Sequence, residues 1–565
     1  MLKFKDYKYE RPNMEKTRDE LELLIRDFEN AKDVQEQNRI IKKINEVRSF
    51  VETMSSLVSI RHTVDTEDEF YSKEQNFIDE NGPIYENAVS KFYKALLKSK
   101  FRKELEEIWG QQVFRLAELQ LKTFSEEIME DLVEENKLAT EYSKLLASAK
   151  LEFEGEVRNL SQMQPFMESK NREMRKRAYE TYISFFEDNE EKFDRIYDEL
   201  VKVRTKMAKK LGYKNYVDMG YGRLSRSDYD SDMVANYRKQ VYEDLVPLVE
   251  ELKDRQRKRL GLDSLKYYDE PLEYLTGNAT PKGDPDWILD NGKKMYKELS
   301  PETDEFFTFM VEKELLDLVS KKGKSAGGYC TYIPDYKSPF IFSNFNGTSG
   351  DVDVLTHEAG HAFQVYLSRE YEMLEYIFPT LEACEIHSMS MEFITWPWME
   401  LFFEDEVEKY KFSHLAGAIN FIPYGVTVDE FQHFVYENPE ATPEERKAKW
   451  RDIERKYLPF RDYEDNDLLN RGGYWFRQGH IFKNPFYYID YTLAQVCAFQ
   501  FWIKIHEGNK DYWEDYLRLC KAGGSKPFLE LVQLGKLDNP FIDGTIKRVV
   551  KPLKKYLDSI DDSKF

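Results

Sequence analysis

Cysteine is scarce in this chain: Cys330, Cys384, Cys497 and Cys520 are the only four in 565 residues. None forms a CxxC pair, and four in so long a chain make no disulfide framework. Reduced thiols and a cytoplasmic location are expected. No run of about 18 apolar residues occurs, so no membrane-spanning helix is expected. The opening MLKFKDYKYERPN has no apolar h-region, so no signal peptide is expected either. A basic surplus is also missing. Lys+Arg number 83 against 105 Asp+Glu, a net charge of −22, which argues against a general nucleic-acid or anionic-membrane binder. There is no repeat of fixed period and no low-complexity tract.

What is present suits a large helical protein. Hydrophobic residues at 41% and aromatics at 15% are too many for a disordered chain. Glycine is sparse over the first 250 residues, and apolar residues recur there in steps of three and four. Leu21, Leu24, Ile25 and Phe28 share one helical face; Ile40, Ile41, Ile44, Val47, Phe50, Val51 and Met54 share another. The simplest reading is antiparallel helices packed on one another. A breaker-rich stretch, 276–286 (TGNATPKGDPD), reads as a surface loop or subdomain joint. Ser300-Pro301-Glu302 and Thr442-Pro443-Glu444-Glu445 read as capped helix starts with Pro in the first turn. One stretch breaks the helical pattern: 325–350 (SAGGYCTYIPDYKSPFIFSNFNGTSG). It predicts two short strands, about 328–333 and 339–345, joined by a Pro-Asp turn.

The chemistry-bearing motif follows at once. His357-Glu358-Ala359-Gly360-His361 lies in DVDVLTHEAGHAFQVYL, a buried-helix pattern. Positions i and i+4 of a helix share a face, so both imidazoles can reach one zinc ion, with Glu358 offset to hold a water. Gly360 costs about 1 kcal/mol against Ala inside a helix, which implies close backbone approach there. A third ligand must come from elsewhere. The long form of the motif would need Gly at 364 and His at 367, but Gln364 and Leu367 stand there. Downstream, LEACEIHSMSMEFITW offers Glu382, Glu385 and Glu392. Spacing alone leaves Glu382 and Glu385 both open. Glu392, two turns past Glu385, suits support of a ligating histidine. His387 reads as a neighbour of the site, and Cys384 as a small core residue.

A second cluster, RGGYWFRQGHIFKNPFYYIDYTLAQVCAFQFW (471–502), combines Gly472, Gly473 and Gly479, suggestive of a mobile loop, with His480, Tyr487, Tyr488 and Tyr491. Phenols and an imidazole are the donors that the oxyanion of a tetrahedral intermediate needs.

Taken together, the zinc motif, Glu385 and the tyrosine loop resemble the thimet oligopeptidase family of zinc metallopeptidases, in particular its oligoendopeptidase F and Pz-peptidase branch. The resemblance covers most of the chain and is strongest from about 200 onward. It implies Glu385 as third ligand, since Glu385, Ser388 and Glu392 match the family's pattern, with Glu392 supporting a histidine. It implies roles for His480 and Tyr491 by order, and for Tyr488 by its spacing from Tyr491. The family's Gly-Gly-Tyr follows the histidine; here Gly472-Gly473-Tyr474 precedes it, and Asn484-Pro485 takes its place. Tyr474 and Tyr487 therefore receive no role. The implied fold is mainly α: two helical lobes around a deep channel, with a small sheet beside the motif helix. Residues 1–200 would form part of one lobe and 201–565 the catalytic region. The sheet edge would take a peptide as an added strand, with Gly327, Gly328 and Tyr329 in contact and Gly347 allowing close approach. The implied function is hydrolysis of internal bonds of short unfolded peptides, with one zinc ion, Glu358 as general base, and no nucleic-acid or membrane partner. The motif by itself does not separate this from a zinc carboxypeptidase or another zinc amidohydrolase; an inactive helical peptide-binding protein is the further alternative, with the intact ligands and Glu358 counting against it.

Overall fold

The apolar spacings become buried helix faces. In the computed structural model, which describes residues 2–325 and 327–565, Leu21, Ile25 and Phe28 form the buried stripe of helix Met14–Asn30. Ile40, Ile41, Ile44, Val51 and Met54 do the same in Val34–Val64. Each such side chain, fully buried, is worth about 1.5–3 kcal/mol. These helices pack on one another and on Glu69–Leu97. Their core extends to Met373 and Tyr376, just past the motif helix. There the buried Arg48 pairs with Glu375 at 2.6 Å. The expected division near residue 200 falls inside the helix Glu190–Lys210, so it is no break between elements.

Helices dominate the chain, as the mainly-α expectation required. Both proposed caps form: Ser300 accepts from the Thr303 amide and Thr442 from the Glu445 amide, each in a capping box ahead of Pro. Among the described residues no helix is long and apolar enough to cross a membrane.

Two small sheets interrupt the helices. The hairpin Leu151–Phe153 with Glu156–Arg158 was not expected; Glu154 and Gly155 turn it, both at positive φ. The sheet beside the motif has three strands rather than the two expected. Tyr329–Ile333 pairs antiparallel with Ser338–Phe345, and Leu316–Val319 pairs parallel on the far side of Ser338–Phe345. Tyr329–Ile333 is therefore an edge strand. The turn after it is Pro334–Tyr336 with Lys337 in the left-handed region. Ala326, just before this strand, lies outside the described residues. Helix Val34–Val64 braces the edge strand from the amino-terminal part of the chain: the Thr63 and Tyr329 hydroxyls are 2.6 Å apart, and the Ser325 amide donates to the Thr63 carbonyl at 2.8 Å.

Four helices then frame the site: Gly350–Ser368 with the motif, Leu381–Ile394, the long Val407–Glu437, and Tyr488–His506. Leu381–Ile394 packs against both Gly350–Ser368 and Tyr488–His506.

Candidate active site

The motif helix is set by its first turn. The Asp351 carboxylate accepts from the Asn346 and Gly347 amides, both at 2.8 Å, tying the end of the sheet to the helix start. Gly360 then decides how close the next helix comes. A Cβ there would lie 2.7 Å from the His387 carbonyl oxygen and 2.7 Å from the Ser388 Cα. Only a glycine admits this approach, which is the close contact the sequence implied. It carries Glu385 to the motif. Glu385 Oε2 lies 3.2 Å from His357 Nε2 and 3.5 Å from His361 Nε2. Among the described residues these three form the one group of His, Cys, Asp or Glu whose ligand atoms converge, all within 4.8 Å of one another. A tetrahedral zinc with bonds of about 2.0–2.1 Å has its ligand atoms about 3.3–3.4 Å apart, so the donor set fits such an ion in both chemistry and spacing.

Glu392 reaches the same site from two turns further on. Its Oε1 lies 2.7 Å from His357 Nδ1 and its Oε2 2.7 Å from His414 Nε2. The polarity of this chain follows from its far end. The Trp396 indole N–H can only donate, and it does so to His414 Nδ1 at 3.2 Å. His414 therefore carries its proton on Nε2 and donates to Glu392. The other Glu392 oxygen accepts the His357 Nδ1 proton, which leaves the Nε2 lone pair of His357 free for a metal. Burial works against charge at Glu392, but the two imidazoles outweigh it and bring its carboxyl down to about 2. Burial also opposes protonation of His357; Glu385 and Glu392 outweigh it and raise that imidazole. Glu385 is likewise held well below the usual carboxylate range by the motif histidines despite its burial. Asp353, one turn before His357, accepts from the Tyr410 hydroxyl at 2.6 Å. Burial pushes its carboxyl up to about 6.

Glu358 faces the group from the side. Its Oε2 is buried and, among the described residues, has no hydrogen-bond partner. Burial pushes its carboxyl up, against the pull of both histidines. A buried, unpaired carboxylate oxygen beside a metal-ligand group is placed to take a water's proton. The amino-terminal end of the edge strand lies alongside: a Cβ on Gly328 would be 3.4 Å from Glu358 Oε1.

A cavity of about 590 Å³ opens beside these groups, bordered by His357, Glu392, His414, His480, Tyr488 and Tyr491. The breaker-rich loop contributes Asn278 and Ala279 to its wall. His480 sits with its ring 4.9 Å from Tyr488 and 5.8 Å from Tyr491. Gln478 turns its amide nitrogen to His480 Nδ1 at 2.8 Å, because its oxygen is taken by the Tyr424 hydroxyl. The His480 proton is thus on Nε2. Burial, with Lys483 nearby, pushes this imidazole down to about 4, so at neutral pH it is an uncharged donor. Burial pushes the Tyr491 hydroxyl up to about 12, with Glu385 adding to the shift.

The remaining expectations sort by geometry. Of the two carboxylates left open by spacing, Glu385 is at the histidines. Glu382 is buried elsewhere, near Asp490 and Arg226, with its carboxyl pushed up to about 8 by burial and then by Asp490. His387 is fully buried off the site, its carbonyl accepting from the Tyr516 hydroxyl at 2.8 Å. Cys384 turns its thiol to the Pro379 carbonyl. Tyr474 packs among Tyr424, Tyr463 and Arg461, outside the site. Gly472 and Gly473 serve packing: a Cβ on Gly472 would meet the Lys447 carbonyl, and one on Gly473 the Leu468 side chain at 2.4 Å. Gly327 has positive φ, and its carbonyl accepts from Asn344. Tyr329 spends its hydroxyl on Thr63 and stacks on Phe342 at 4.8 Å. Tyr487, given no role from the sequence, has its hydroxyl 3.4 Å from Glu385 Oε1. The sequence reading also missed His414 and Gln478, which no motif spacing marks, and Asp353, whose spacing of four before His357 on the motif helix could have found it.

A His-Glu-x-x-His helix completed by a carboxylate from the following helix defines the metal-dependent hydrolases of the zincin type. Residues 4–124 match the Peptidase M3 N-terminal domain, residues 165–279 and 296–550 match Peptidase family M3, and the chain belongs to that family. It is similar to a Pz peptidase A solved with an inhibitor: 60% identity, 99% of this chain and 100% of that one, TM-score 0.94. Oligopeptidase PepF of Bacillus subtilis (strain 168) is 24% identical over 424 residues, 70% of this chain and 58% of that protein. This chain thus spans about three-fifths of the length of the curated relatives it matches. Oligoendopeptidase-F of Enterococcus faecium, at 16% identity, 98% and 99% coverage and TM-score 0.63, shares the fold.

Proposed function

We propose that this chain is a zinc metallo-oligopeptidase that cleaves internal bonds of short unfolded peptides in the cytoplasm. The observation that carries the reading is the convergence of His357, His361 and Glu385 beside the unpaired oxygen of Glu358. His357, His361 and Glu385 would hold the ion, and Glu392 would fix the His357 tautomer. Zinc there supplies Lewis acidity, lowering the pKa of a water and polarising a carbonyl. Glu358 accepts the proton of the attacking water as its oxygen adds to the peptide carbonyl carbon. Glu358 then returns that proton to the departing amine as the C–N bond breaks. The His480 Nε2–H and the Tyr491 hydroxyl, with Tyr488 beside them, donate to the oxyanion that forms between these steps. The peptide lies along the edge strand as an added strand, its main chain near Gly327, Gly328 and Tyr329.

The test is cleavage of an internally quenched peptide of about ten residues, before chelation, after it, and after zinc is returned, with products mapped by mass spectrometry. Internal cuts that vanish with chelator and return with zinc are expected. Trimming from one end only would make the chain an exopeptidase. No turnover by zinc-loaded protein across a varied peptide set would overturn the reading.

A further inference from the structure

Eight non-glycine residues among those described have positive φ, and Phe486 (φ 67) is the only apolar one. A side chain with a Cβ is disfavoured there, and a bulky one more so, so the surroundings must hold it. They do so on three sides. The Phe486 amide donates to Gln432 Oε1 at 2.9 Å. Its carbonyl accepts from Arg226 Nη2 at 2.6 Å, and the same nitrogen donates to Asp490 at 2.5 Å. Its ring is fully buried against Tyr221, His433 and Tyr436. Gly220 leaves room for it: a Cβ on Gly220 would lie 2.8 Å from the ring. Gln432, Arg226 and Gly220 belong to elements that carry none of the proposed metal ligands. The residue that follows Phe486 is Tyr487, whose hydroxyl faces Glu385, and the Tyr491 ring lies 4.9 Å from that of Tyr487. A glycine would adopt this turn more cheaply, but it would not bolt the turn to a buried aromatic pocket.

We propose that Phe486, locked in its left-handed turn by Gln432 and Arg226, is a positioning residue that sets Tyr487 against Glu385 and Tyr491 toward the reacting carbonyl. The inference rests on the peptidase reading for the role of Tyr491 and for its kinetic test. Gln432→Met keeps the side-chain volume and removes the acceptor for the Phe486 amide. Gly220→Ala presses on the ring from the other side. A displacement of about 1 Å at the tyrosines costs on the order of 100-fold in kcat, with KM and zinc content unchanged. In a Tyr491→Phe background the same substitutions should cost less than a third of that factor, because the group they misplace is gone. A loss of thermal stability with unaltered kcat, or losses that multiply fully with Tyr491→Phe, would reduce Phe486 to a packing residue. A crystal structure of Gln432→Met separates this inference from the peptidase reading. A Tyr487–Glu385 separation that stays at 3.4 Å with Phe486 still at positive φ overturns the inference, whether or not the protein cleaves peptides. A relaxed turn with the tyrosines withdrawn supports it.

Discussion

Gly360→Ala adds one methyl group at the point where two helices define the site. The new Cβ would sit 2.7 Å from the His387 carbonyl oxygen, 2.7 Å from the Ser388 Cα and 3.0 Å from the Met391 Cβ. Carbon contacts are comfortable at about 3.5–4.0 Å, so the helices must part by roughly 1 Å. Two of the three obstacles are backbone atoms, which cannot rotate away. Overpacking of this kind costs about 1–3 kcal/mol, and the better helix propensity of alanine returns about 1 kcal/mol. The net loss of stability is therefore small, about 0–2 kcal/mol. The functional loss is not, because the displaced helix carries Glu385 and Glu392. A shift of about 1 Å in catalytic geometry costs on the order of 100-fold in rate, and disturbed support of a ligand costs about 10–100-fold in metal affinity. The assay is kcat/KM on a quenched peptide together with zinc affinity by chelator competition. Gly82→Ala is the control: it lies in helix Glu69–Leu97 with nothing within 4 Å of its would-be Cβ, and should be neutral for activity. Wild-type zinc affinity and turnover in Gly360→Ala would refute the idea that this helix contact sets the site.

Glu358→Gln should retain zinc and fold while losing about 100–10,000-fold in kcat, since the unpaired oxygen is the proposed proton acceptor; full activity with zinc bound would defeat the mechanism. His414→Phe removes the donor to Glu392 Oε2 and should weaken zinc by about 10-fold, which chelator competition reads directly; unaltered affinity would show that Glu392 needs only His357. His433 is buried beside Tyr221, and burial pushes it down to about 4, against about 6.5 when unfolded. The unfolded chain binds more protons between those values, so the stability from this group is complete above about pH 6.5 and lost as pH falls toward 4. On the order of 2 kcal/mol is gone by pH 5. Urea midpoints across pH 5–8 should fall at the acid end, and less steeply in His433→Gln; identical slopes would contradict the assignment.

Much of the site is legible in the sequence because its spacing is local. His357, Glu358 and His361 lie within five residues of one helix, so helical geometry alone brings them together. Glu385 is harder, since Glu382 is equally plausible by spacing. What decides between them is the register of two helices across Gly360, and no single-helix pattern contains that. His414 is invisible for the same reason: it reaches Glu392 from a third helix, 22 residues away. Strand Leu316–Val319 escapes notice because LDLV is short and the strand it pairs with in parallel, Ser338–Phe345, comes only after Tyr329–Ile333 in sequence. Tyr487 is passed over because its neighbourhood departs from the family's loop, yet the turn at Phe486 delivers it to Glu385.

The brace between Thr63 and Tyr329 bears on how this protein could be divided or redesigned. Every proposed metal ligand lies after residue 350, and a fragment lacking the first 124 residues would retain them all. It would lose the hydroxyl contact and the main-chain bond that steady the edge strand. On the proposed reading, such a fragment would keep the metal ligands and bind peptides less well. The smallest working unit is then nearly the whole chain. If the chain is the peptidase proposed, changes in helix Val34–Val64, far from the motif in sequence, become a route by which selection or an engineer can tune which peptides are accepted without touching His357, His361 or Glu385.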